Sequence, residues 1–243
     1  MRRPPQEIDT RERPASVPHP PPSDRPPSGG GRRRGRRLHR PLGSDPDVAH
    51  NALIWFETGP FLEFIAPPPF DESLAPRYEQ VAGPGAVLRS RRWGAMDAGW
   101  CDVAVEVDAP DLEAVMRRCE EVEVAIGPSF EPSRTLPGGE KVSWHLAFPH
   151  DGDLPFVMGA YSTPQRPEAV HHANGATEIT AITVAHPDPD GYGRLLTRYL
   201  GTAMPADIVV EAGDGDGAVI TAVAAAGLTA EVRFGASVLV PSN

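Results

Sequence analysis

Val103-Ala104-Val105-Glu106-Val107-Asp108-Ala109-Pro110-Asp111-Leu112 is the stretch on which the fold turns. Its first half alternates β-branched residues and predicts a strand, and at Asp108 the period changes. Asp108 stands as a helix N-cap, Pro110 presets the first turn, and Asp111 suits the positive end of the helix dipole. Leu112, Val115, Met116 and Cys119 then recur at helical spacing as a buried stripe, while Glu113 and Arg117 pair across the outer face. Beyond Gly127-Pro128, β segments are expected at about 129–136 and 140–148, joined by Pro137-Gly138-Gly139, with Pro155-Phe156-Val157-Met158 as another strand. The order over 100–162 is therefore βαβββ.

The same opening returns downstream. Ile179–Val184 reads as a strand, Asp188-Pro189-Asp190 as a second capping segment, and Tyr192, Leu195, Leu196 and Tyr199 as a second helical stripe that Gly201 ends. Ile208–Glu211, Ala218–Ala224 and Leu228–Phe234 supply three more strands, so 176–236 is a second βαβββ unit. Upstream, Ala52–Phe56 and Phe61–Ile65 form a hairpin around Glu57-Thr58-Gly59-Pro60, a partial unit over 48–70. The connection 71–98 reads as irregular, with one helical turn near Leu74–Val81. The fold class is α+β, with repeated βαβββ modules over 43–243.

Residues 1–42 contrast with all of this. They hold ten of the 29 prolines, three consecutive glycines and the run Arg32-Arg33-Arg34-Gly35-Arg36-Arg37, with almost no large aliphatic side chains. Such a composition cannot offset the entropy of ordering, and a disordered segment is expected. A start read from a different frame of a GC-rich gene is an alternative. The first forty residues carry eleven Arg against four acidic residues, +7, whereas the rest carry twelve basic against twenty-nine acidic, −17. The overall charge of −10 disfavours a nucleic-acid partner, and no aromatic residues interleave with the arginines for base stacking. Cys101 and Cys119 are too few for a disulfide framework. No apolar run is long enough for a membrane helix and no secretory pattern opens the chain, so a cytoplasmic protein without a membrane partner is expected.

Several strings, in this order, resemble the glyoxalase-like domain of the vicinal oxygen chelate superfamily. They are His50-Asn51-Ala52-Leu53-Ile54 with Phe61-Leu62-Glu63-Phe64-Ile65, Val107–Leu112, Ser133–Gly139 leading to Trp144-His145-Leu146, Leu154-Pro155-Phe156, and Ala185-His186-Pro187-Asp188-Pro189. The resemblance implies modules whose sheets curl into a cup, commonly holding a divalent metal that chelates adjacent substrate oxygens. It implies a small oxygenated or aromatic ligand, and lyase, isomerase or dioxygenase chemistry if the protein is an enzyme. Some members of the superfamily only bind their ligand, so fold alone does not fix the activity.

The resemblance places the metal carboxylate at Glu63, but the rest of the ligand set is incomplete. In the second module the histidine position falls at about Asp102 and the carboxylate at about Met158-Gly159; in the third, Ile179 stands where a ligand is expected. Glu63 is the candidate base or metal ligand, and burial would raise its pKa if its face lines the cup; if that face meets water, it is a solvated strand residue. His50 is a candidate proton shuttle or a rim residue. Arg134 and Lys141, the only lysine, are candidate oxyanion partners or hairpin-tip charges. Asn51 and Trp144 complete the expected substrate-binding set, with core packing the plainer role for Trp144. His171-His172 reads as a surface loop, because adjacent residues of an extended chain face opposite ways. A non-catalytic binder and a truncated, inactive family member are the alternatives, the latter with an unpaired hairpin edge that a homodimer would cover.

Overall fold

A computed structural model describes residues 51–96, 98–107, 112–136, 138–201, 207–234 and 237–242. The segment read as disordered, His50 and the cap at Asp108 lie outside the described residues. Two antiparallel strands come first, β1 (Asn51–Ile54) and β2 (Leu62–Ile65), with Leu53 opposite Glu63. Phe56 and Leu62 are buried against Ile179, Val223, Leu228 and Leu239, which ties the hairpin to the C-terminal sheet. His172, expected in a surface loop, is half-buried: its Nε2 lies 2.8 Å from the Trp55 carbonyl and its ring packs on Phe56.

The connection 71–98 is not irregular. It contains a 3-10 turn at Glu72–Leu74 and two helices, α1 (Ala75–Ala82) and α2 (Pro84–Ala95). Gly83 at φ +80° divides them, a conformation glycine adopts without strain, and Pro84 opens α2 at N1. The buried side of α2 is Gly85, Ala86, Val87 and Arg89, a face too small and too basic to register as a hydrophobic stripe. Small residues there permit close approach, and a Cβ on Gly85 would collide with the Pro149 carbonyl. Around them Trp93, Phe130 and Phe156 pack with Phe148 as an aromatic cluster, with Leu146 in the same core.

The second unit runs β3 (Ala104–Val107), α3 (Glu113–Glu121), β4 (Ser133–Thr135), β5 (Lys141–Ser143), β6 (Leu146–Ala147) and β7 (Phe156–Gly159). Its sheet order is β3-β7-β6, with β3 and β7 parallel and β6 antiparallel to β7; β4 and β5 form a separate hairpin. The expected strand over 140–148 is interrupted at Trp144 and His145. Leu112 and Cys119 of the helical stripe are fully buried, and Glu113 and Arg117 lie 3.6 Å apart on exposed side chains.

The third unit runs β8 (Glu178–His186), α4 (Pro189–Leu200), β9 (Asp207–Ala212), β10 (Val219–Ala226), β11 (Val232–Phe234) and β12 (Ser237–Pro241). Asp188 caps α4 as expected, accepting the Gly191 N–H at 2.9 Å, and Gly201 at φ +58° ends it. The sheet order is β11-β12-β10-β8-β9. Here the first strand pairs with the second and third, whereas in the preceding unit it pairs with the last; the two share element order and differ in pairing. α3 and α4 meet over one core of Val105, Val157, Val184, Leu196 and Tyr199. Arg118 joins them by donating to the carbonyls of Tyr199 and Thr197 at the end of α4, where a cation complements the helix dipole. No helix among the described residues is long and apolar enough to cross a membrane.

Candidate functional site

Strand register decides which candidates meet. On the first hairpin, Asn51, Leu53, Glu63 and Ile65 share a face, and the Asn51 amide donates to Glu63 Oε1 at 2.7 Å. Glu63 is exposed, so the shielded carboxylate expected if its face lined a closed cup is not what the structure has. On the β4–β5 hairpin, Arg134 pairs with Val142 and Thr135 with Lys141. Arg134 and Lys141 therefore stand on opposite faces and do not converge on one oxygen, because consecutive residues of a strand point opposite ways. Lys141 is exposed, and Arg134 shares its face with fully buried Val142.

The groups that do converge meet at Tyr161, just past β7, which the sequence reading did not single out. Trp144 packs on it with ring centroids 5.4 Å apart, and the Arg134 guanidinium lies 6.0 Å from the tyrosine ring centroid. Burial pushes the Tyr161 hydroxyl up to about 12; the Glu63 and Glu106 carboxylates push the same way and Arg134 pulls against them. Trp144, just after β5, and Arg134 of β4 thus lie against the Tyr161 ring, while the carboxylates of Glu63 on β2 and Glu106 on β3 act on its hydroxyl through their charge. A tyrosine whose neighbours are non-local offers no periodic signal in sequence; the only cue was aromatic content beside a glycine-ended strand. Arg134 is held in place by the Gln165 side-chain oxygen, 3.0 Å from Nη2, while Gln165 donates to the carbonyls of Thr163 and Pro164.

Asp102 stands at about the position where the resemblance implies a metal-binding histidine, and its carboxylate is fully engaged. Oδ2 accepts from Arg92 Nη2 at 2.6 Å and Trp93 Nε1 at 3.0 Å and lies 3.2 Å from Arg89 Nε, while Oδ1 accepts the Val103 N–H at 2.9 Å. Arg89 is wholly buried, anchored further by the carbonyls of Pro149 and Leu154. A divalent ion at Asp102 would sit against two guanidinium charges in a site of low dielectric, so these residues do not fit a metal. Among the described residues no three His, Cys, Asp or Glu side chains are grouped to hold one, and Glu63 accepts from the Asn51 amide. Cys101, next to this cluster, is a poor nucleophile: burial first and the Asp102 charge second push its thiol up to about 11.

Comparison with known proteins agrees with the element order. A family model described as a glyoxalase-like domain matches residues 33–200, more than half of the chain and starting inside the Arg-rich segment. No curated protein matches. Among solved structures that do, a hypothetical protein from Staphylococcus aureus superposes with a TM-score of 0.55 at 12% identity, covering 79% of this chain and 85% of that one, a likeness of fold alone. With strand–helix–sheet units in the expected order and this match, the chain belongs to the glyoxalase-like domain family of the vicinal oxygen chelate superfamily.

Proposed function

We propose that the protein binds a small oxygenated or aromatic molecule against the face formed by Arg134, Trp144 and Tyr161, with Glu63 and Asn51 as the polar side of the same site. The observation that carries this reading is the half-buried Tyr161 ring packed on Trp144 and beside the Arg134 guanidinium, with the charges of Glu63 and Glu106 acting on its hydroxyl. Aromatic rings supply contact area with a defined orientation, and a few placed polar groups fix the ligand's register. The non-catalytic form of this function is favoured over lyase, isomerase or dioxygenase chemistry by the Asp102 cluster, where two arginines take the carboxylate that a metal would need. Glu63 and Asn51 then serve as hydrogen-bonding groups and not as base or ligand.

Two measurements test this. Titration with catechols, dicarbonyls and aromatic acids is expected to quench tryptophan fluorescence and raise the thermal midpoint, with the quench lost in Trp144→Phe; silence across the whole panel removes the proposal. Elemental analysis of purified protein incubated with Fe, Mn, Zn or Ni is expected to find well under one ion per chain. One equivalent that is released on Glu63→Ala would restore the metal-dependent reading.

A further inference from the structure

A second concavity shares no residue with the ligand face proposed above. Leu112 at the N-cap of α3, then Met116 and Glu120 one and two turns on, line it along one side of the helix, and Ser129 and His145 help to enclose a volume of about 420 Å³. Small-molecule pockets span roughly 300–1,000 Å³, so this one has room for a ligand of one or two rings. Leu112 is fully buried and Met116 half-buried, which makes the depth of the cavity apolar. His145 is half-buried as well, and the residue before it, Trp144, packs on Tyr161, so one short segment serves both places.

The rim sets the sign of the ligand. Glu113, Arg117 and Glu120 are its exposed charged residues, two acids against one base. Arg117 lies 3.6 Å from Glu113, and Arg118 donates to the carbonyls of Thr197 and Tyr199, so neither arginine of α3 is spent on Glu120. A carboxylate left over beside an apolar hollow favours a cation that carries an apolar body, and a thioether and an imidazole both pack well on a flat ring. We infer that this cavity is a second binding site, beyond the function proposed above and independent of it. It takes an arylalkyl ammonium ion, the ring against Met116 and His145 and the ammonium at Glu120.

Two probes of one shape decide the matter by calorimetry on the full chain at low ionic strength: 2-naphthylmethylamine and its neutral isostere 2-naphthylmethanol. The amine is expected to bind about two- to fivefold more tightly than the alcohol, the range that an exposed ion pair supplies, and the gap should close in high salt. Glu120→Gln should bring the amine down to the alcohol's affinity while the alcohol still binds, which also reports that the variant is folded. Ser129→Trp, a change at an exposed position that fills the cavity, should likewise abolish the preference for the amine, and Trp144→Phe should leave it untouched. Equal affinity of the two probes in the unaltered protein, or a preference that survives Glu120→Gln or Ser129→Trp, overturns the inference. A preference lost only in Trp144→Phe places the amine at Tyr161, which overturns this site and upholds the small-molecule reading. Binding of neither probe also overturns it, and leaves that reading to its own panel of catechols, dicarbonyls and acids.

Discussion

Asp102 shows how much one side chain can decide. Its four contacts hold α2 against the start of β3, and its removal would leave the buried Arg89 charge uncompensated. Asp102→Asn keeps the shape and the Oδ1 acceptor but removes the charge, and a loss of about 3–5 kcal/mol is expected in urea unfolding. A change near the surface-substitution level of roughly 0.5 kcal/mol would refute the role assigned to the cluster. Burial similarly pushes the Cys119 thiol up to about 11, so neither thiol is expected to react with a disulfide reagent at neutral pH until the protein is unfolded. Rapid labelling of Cys101 in the native state would show that its segment opens. Asp102 and Cys101 were both visible as residues in the sequence; their partners were not, because Arg89 and Arg92 lie on a helix that the sequence pattern did not reveal.

At the scale of elements, legibility followed the size of the buried face. α3 and α4 carry large apolar stripes, Leu112 to Cys119 and Tyr192 to Tyr199, and both were readable from spacing together with the Asp188 cap. α2 was not, since its inner face is Gly85, Ala86, Val87 and Arg89 and its contact depends on the lack of a side chain at Gly85. Gly85→Ala is therefore expected to destabilise by about 1–3 kcal/mol, despite alanine's better helix propensity. Chemical denaturation measures it; a neutral or stabilising change would mean that α2 does not press on Pro149. β12 was not read from the sequence; it pairs antiparallel with β11, which precedes it closely in the chain, and parallel with β10, so that only the second of its pairings is non-local. The β4–β5 hairpin was foreseen, but the pairing of Arg134 with Val142 set its faces and separated Arg134 from Lys141.

Over the whole molecule, two tyrosines join segments through protonated hydroxyls. Tyr192 donates to the Asp153 carbonyl at 2.7 Å and Tyr199 to the Pro155 carbonyl at 3.0 Å, and burial is the largest cause raising the pKa of both, as of Tyr161. A folded-state pKa above the unfolded value of 10.0 means that the unfolded chain releases these protons first. The stability they contribute is complete below pH 10 and is lost as pH rises through 10 towards 12 and above. The urea midpoint is expected to fall over that window, with a smaller fall in Tyr199→Phe; a flat profile would show that these hydroxyls reach water in the native state.

The order of strands and helices, the two amphipathic stripes and the family likeness were set by the sequence itself, because they depend on local period, capping and turn chemistry. Which strands became neighbours was decided only in three dimensions. The units at 103–159 and 178–241 have like beginnings and unlike pairings, since a strand's partner depends on which apolar faces it can bury and not on its own alternation. The meeting of Trp144 and Arg134 at Tyr161 has the same origin. A site drawn from non-local strands has no period along the chain, and it comes into being only when packing brings those strands together.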